Sequence, residues 1–325
     1  MAAVAAPALV RAEGPYKVLD TWKLGGEGGW DYLSIDPVSH KLFVTRGTRV
    51  DVVDTATGKI TGSVTGLHGV HGVAFDAGNY GYITDRGTPS AVVVFDRSTL
   101  AMVATIAVGD GADGILYEPV TKTVWSFGGK SKSATVIDTA TLKVAGSVDL
   151  GGKPETAVAD GKGLIFDNLE DKSQIVRIDA ASKTVTATWA AGCEGPSGLA
   201  YDAKGAKLFA VCDKTMSVVS AATGKVLATP AIGDGPDAAG YSAKYKLAFA
   251  SCGEGVLSVV DGATLKTVQT LPTEKRARTM AYDAAADRVY TVTADFGAAP
   301  AATAGNPRPR PAVVAGTFRV IVIGR

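Results

Sequence analysis

GVHGVAFD at residues 69–76 decides the fold, because its pattern recurs along the whole chain. Related stretches are GWDYLSID (29–36), GADGILYE (111–118), KPETAVAD (153–160), GPSGLAYD (195–202), GPDAAGYS (235–242) and RARTMAYD (276–283). Each reads as a turn, a polar residue, a small and apolar strand, and usually an acid. The polar position falls at Asp31, His71, Asp113, Glu155, Ser197, Asp237 and Arg278, at spacings of 40, 42, 42, 42, 40 and 41. A second landmark keeps step with the first. Asp54, Asp96, Asp138, Asp179, Ser220 and Asp261 each close a β-branched run such as VDVVD or ATVID and open a turn such as TATGK. There a side-chain oxygen can accept from backbone N–H groups further along the turn.

Repeats of about 41 residues, each with four short strands and no helix-length 3.6-residue period, are the signature of propeller blades. With the strands named A to D outward from the axis, blade 1 has A near YLSID, B near KLFVTR, C near VDVVD and D near KITGSV. Seven A strands imply a seven-bladed, all-β propeller. The last repeat supplies A (TMAYD), B (RVYTVT) and C (FRVIVIG) but no D strand. YKVLDTWKLG near the N-terminus matches the missing element by comparison with LKVAGSVDLG, so the N-terminal strand is expected to close blade 7 and cover its open edge.

Composition agrees. The 325 residues include 39 glycines, an excess that suits many tight turns, and 46% apolar residues suffice for a core. Basic and acidic residues cancel to +1, so nothing in the net charge supports holding a polyanion, and nucleic-acid binding is disfavoured. No apolar run approaches a membrane span; the nearest, Ala2–Val10, is short. Val10-Arg11-Ala12 has the small-residue spacing of a signal-peptidase site, so residues 1–12 read as a trimmed signal peptide or an Ala-rich tail, and 13–325 as one propeller domain. Export to the periplasm or medium is the expectation.

The B strands FVTR, YITD, VWSF, IFDN, FAVC, FASC and YTVT, each followed by a C strand of the VVD type, carry a family likeness. Over residues 16–325 the chain resembles the YVTN-repeat β-propellers, the YncE-like exported bacterial proteins. The resemblance implies the architecture and an extracytoplasmic location. For activity it implies only a range: binding proteins, lactonases, a metal-using antibiotic lyase and proteins that touch DNA.

In a propeller the start of A and the end of B meet on one face, which converts the repeat register into a list of residues at the channel mouth. The A-start ring is the seven polar positions above. Beside it the B ends are expected to place Arg46, Asp85, Phe127, Asn168, Cys212, Cys252 and Thr293, and the D–A loops add Trp30, His68, Cys193 and Glu194. Converging carboxylates need a balancing charge. Asp31, His71, Asp113, Glu155 and Asp237 are therefore candidate ligands for Ca²⁺, Mg²⁺ or Mn²⁺; ion pairs with Arg278 and Arg46 in a hydrated channel are the alternative. His71 and Glu155 are candidate bases and Arg278 a candidate oxyanion partner. Trp30, Arg46, Asp85, Asn168 and Glu194 are candidate ligand contacts. Cys193 and Cys212 are expected to form a disulfide, with a thiolate metal site second. The proline-rich run of blade 7, residues 296–317, reads as a semi-rigid lid over the ring or a surface loop.

No GxSxG, HExxH or CxxC motif is present. The reading is an exported propeller binding a small ligand, a divalent metal or both at the funnel mouth. A metal-dependent hydrolase of the lactonase or esterase type, or a lyase, is the alternative. No organic cofactor is indicated, and a monomer is the expected state.

Overall fold

A computed structural model describes residues 14–301 and 311–325. The proposed signal segment and the middle of the proline-rich run, with Arg308, lie outside them. The described strands form seven antiparallel sheets of four strands each, and six of these run A-B-C-D in chain order. In the seventh, Met280–Asp283, Arg288–Thr293 and Arg319–Gly324 supply A, B and C, and Lys17–Lys23 is the outer strand, paired from Lys17↔Gly324 to Lys23↔Arg319. The N-terminal strand thus closes the ring. Tyr16, just before it, is buried: its hydroxyl donates to Asp287 Oδ1 at 2.6 Å, while its backbone N–H and C=O pair with the Gln269 amide at 3.1 and 2.7 Å.

The two sequence landmarks have one physical origin. The Asp that ends each C strand turns its carboxylate onto the next turn: Asp54 accepts from Thr57 N at 2.8 Å, Asp138 from Thr141 N at 2.8 Å and Asp261 from Thr264 N at 2.6 Å. These bonds hold the carboxyls below their usual range, with Asp96 at about 2. The acid ending strand A does the same at the A–B turn, as when buried Glu118 accepts from Val120 N at 3.0 Å and Thr121 N at 2.7 Å.

Packing runs between blades rather than around one centre. Trp125 and Phe127 of blade 3 meet Ile165 and Val176 of blade 4, and Phe209 of blade 5 meets Ala248 and Val260 of blade 6. Each such large side chain contributes roughly 1.5–3 kcal/mol through burial. B strands are buried on both faces, whereas D strands expose one or both.

Strand A carries the device that builds the site. In blades 2, 3, 4 and 6 the A–B register shifts within Val70–Val73, Ala112–Ile115, Pro154–Ala157 and Pro236–Ala238. The bulged segments contain His71, Asp113, Glu155 and Asp237. An extra residue at this point bends the strand and re-aims its side chains, a recurrent use of bulges beside functional sites.

Candidate functional site

At the channel mouth the ring residues separate into three ionic groups. In the first, His71 Nδ1 hydrogen-bonds Asp31 Oδ2 and lies 3.3 Å from Asp113 Oδ1, while Arg86 pairs with the other oxygen of Asp113. One ligand atom from each of Asp31, His71 and Asp113 can be chosen so that all lie within 4.8 Å of one another. In the second, Lys153 Nζ stands 2.6 Å from Glu155 Oε1 and also pairs with Glu170. In the third, Arg278 Nε is 3.4 Å from Asp237 Oδ2. Of the five candidate metal ligands, three are brought together, and Glu155 and Asp237 each turn to a cation of their own.

Burial alone would push the His71 imidazole down, but its bonds to Asp113 and Asp31 and their charges prevail and raise it to about 9. Without a metal ion the ring therefore carries a proton shared between carboxylates at neutral pH. Glu155 differs: desolvation raises it, Lys153 opposes and Asp113 adds, leaving it at about 7. Asp237 reaches about 6, raised by burial and by Asp31 and Asp113 against the pull of Arg278.

Below the ring, Tyr32 stands in the axis. The residue after the ring position is Gly72, Gly114, Thr156, Gly198, Ala238 or Thr279 in the other blades, all small. The Tyr32 phenol is enclosed among Asp113, Glu155, Asp237 and Asp31, and burial and their charges push it well above its ordinary value. A channel cavity of about 170 Å³ is lined by Tyr32, Gly72, Gly114, Glu155, Thr156 and Ala238 among others. Sequence reasoning missed this tyrosine, although it is the one bulky residue in a column of small ones. It also missed Arg86 and Lys153, whose proximity to the ring depends on loop geometry.

Several expected ligand contacts serve the fold instead. Arg46 is 1% exposed, donates to the carbonyls of Gly25 and Glu27 at 3.3 and 2.9 Å, and lies over the Phe318 ring. Burial, with Arg49 adding, lowers it to about 10. Asp85 is buried and accepts from the backbone of His68, Gly69 and Gly87 at 3.0, 2.7 and 3.2 Å. Asn168 is buried and donates to the carbonyls of Ser197 and Gly198 in the next blade at 3.0 and 3.2 Å. The ladder pairs Val70 with Asp85 but Ala112 with Gly128 and Pro154 with Leu169. The B end thus lies one residue beyond Phe127 and Asn168. Glu194 is exposed, beside the Cys193–Cys212 disulfide, and Cys252 is buried with its thiol pushed up to about 12.

Trp30 keeps a place at the rim. Its ring lies 5.1 Å from that of Phe318 and 5.9 Å from that of Phe296, which begins the proline-rich excursion of blade 7. Phe296 and Val313 form an isolated bridge, so the two described feet of that excursion meet beside Trp30 on the ring face.

Together these features define a seven-bladed β-propeller with an ionic mouth. No family model matches the sequence, and no curated protein does. Among solved structures the fold is similar to that of "Kuenenia stuttgartiensis Hydrazine Synthase", with a TM-score of 0.71 and 19% identity over 82% of this chain and 92% of that one. At that identity the likeness extends to the fold alone. Among the described residues, no helix is long and apolar enough to cross a membrane.

Proposed function

We propose that the chain is an exported propeller of the YVTN-repeat type that holds a divalent cation at its mouth and uses that face to bind a small ligand. The observation that carries this reading is the convergence of Asp31, His71 and Asp113 within 4.8 Å. Two carboxylates and one imidazole offer the mixed oxygen and nitrogen donors that suit Mn²⁺, with Ca²⁺ and Mg²⁺ as oxygen-preferring alternatives. The cation would take the place of the proton that His71 otherwise holds between the carboxylates. Support for the family comes from the repeat residues, and support for export from the Ala-rich stretch that ends in the signal-peptidase-like spacing Val10-Arg11-Ala12. The test is calorimetric titration of chelator-treated protein with Mn²⁺, Ca²⁺ and Mg²⁺. One site should appear, and Asp31→Asn or Asp113→Asn should weaken it at least tenfold. Protein that binds none of the three ions would end the proposal.

One observation favours a second reading, a metal-dependent hydrolase or lyase. The Glu155 carboxyl at about 7 suits a general base at neutral pH, and Arg278 stands on the same face. In a screen of esters and lactones with bound Mn²⁺, Glu155→Gln should then lower turnover by about 10²–10⁴. Absence of turnover across the screen leaves the binding reading.

A further inference from the structure

A second cavity, lined by none of Asp31, His71 and Asp113, lies at the edge of the mouth. A cavity of about 430 Å³ is bounded by Trp30, Phe296, Pro311 and Val313 on its apolar side and by Arg276 and Arg278 on its polar side. That volume falls in the range of small-molecule pockets. Buried Ala277 anchors the short turn between the two arginines, with Arg278 N donating to Arg276 O at 2.9 Å. Both guanidiniums retain donors. Arg276 lies with its carbon 4.1 Å over the Phe296 ring and has no carboxylate partner among the described residues. A guanidinium stacked by its face keeps its N–H groups in plane for a carboxylate. Arg278 stands with its Nε 3.4 Å from Asp237 Oδ2, and its side chain is about half exposed.

The backbone of Arg276 is left-handed, as it is at twelve other non-glycine residues among those described. Its φ is +65°, the left-handed region, where the equivalent position of other blades holds Gly111 at +72°, Gly195 at +58° and Gly235 at +62°.

We infer that this cavity binds a small planar organic anion, its carboxylate on Arg276 and Arg278 and its ring against Trp30 and Phe296. The inference rests on the mouth being a binding face and needs no metal ion. An inorganic anion would leave the apolar wall unused, and a neutral aromatic would leave two guanidiniums unpaired.

The test uses 2-naphthoate and its neutral analogue 2-naphthamide, titrated calorimetrically into full-length, chelator-treated protein, so that failure of the ring cation does not affect it. Naphthoate should bind at least tenfold more tightly than the amide. Arg276→Gly, which restores the residue that this backbone favours, should leave the melting temperature unchanged or raise it and weaken naphthoate at least tenfold. Arg278→Gln should weaken it similarly. Equal affinity for acid and amide, undiminished binding by Arg276→Gly, or no naphthoate binding at millimolar concentration would overturn the assignment.

Discussion

The guanidinium carbon of Arg46 lies 3.7 Å above the ring centre of Phe318, which joins the end of strand B in blade 1 to the entrance of strand C in blade 7. The same guanidinium holds the carbonyls of Gly25 and Glu27, on the segment leading from the closing strand into blade 1. Its nearest carboxylate, Asp51, is 4.0 Å away, so stacking and backbone carbonyls do most of the holding.

Arg46→Met should therefore cost about 2–4 kcal/mol in urea unfolding, since two backbone carbonyls and a ring lose their partner and Asp51 loses its nearest buried cation. Arg49→Met, at a partly exposed neighbour, should cost less than about 1 kcal/mol. A ligand-contact role for Arg46 would give the reverse pattern: little change in stability and a loss of affinity.

Asp167 is fully buried in strand B of blade 4, and neither carboxylate oxygen has a hydrogen-bond partner. Desolvation, with the charge of Glu155 adding, raises its carboxyl well above the ordinary value. A raised acid binds its proton more tightly folded than unfolded. Its effect is thus most favourable below the unfolded value of about 3.9, and stability is lost as the pH rises through the window above it. Asp167→Asn should stabilise the protein at neutral pH by at least about 1 kcal/mol and flatten the pH dependence of unfolding above pH 4. An unchanged slope would show that Asp167 does not titrate in that window.

The strand-A register was legible residue by residue, because a turn, a polar residue and a small apolar run punctuate every repeat. The B ends were legible in five blades and slipped by one in blades 3 and 4. Both faces of every B strand are buried, so no alternation marks which side chain reaches the mouth, and in blades 3 and 4 the ladder runs one residue further, to Gly128 and Leu169. The meaning of Arg46 and Asp85 was hidden for another reason. Both stand at the expected register, but loop carbonyls and N–H groups that no pattern announces have already claimed their polar atoms.

The disulfide ties the D–A loop of blade 5 to its own B strand across 19 residues, as the paired funnel-face positions of Cys193 and Cys212 suggested. Cys193→Ser with Cys212→Ser should lower stability by about 2–3 kcal/mol. Native protein should show no thiol reactive toward a disulfide reagent at neutral pH and one on unfolding, since Cys252 is buried and its thiol raised. Reactivity in the native state would contradict that burial.

Removing residues 16–23 should leave the outer edge of the C strand of blade 7 unpaired and abolish the Tyr16 contacts with Asp287 and Gln269. Size-exclusion chromatography should then show association through the exposed edge, together with a lowered melting temperature. Tyr16→Phe, which removes one buried hydrogen bond, should cost only about 1 kcal/mol and leave the protein's size unchanged.

The order of strands in blade 7 also sets a timetable. Lys17–Lys23 is synthesised well before its partner Arg319–Gly324, because some 300 residues separate the two halves of one ladder. A ribosome working at about 5–20 residues per second would hold the early strand without its mate for roughly 15–60 seconds. For that interval the nascent chain can stack blades one upon another but cannot seal the circle. The clasp thus delays completion of the fold until the strand around Arg319–Gly324 is free.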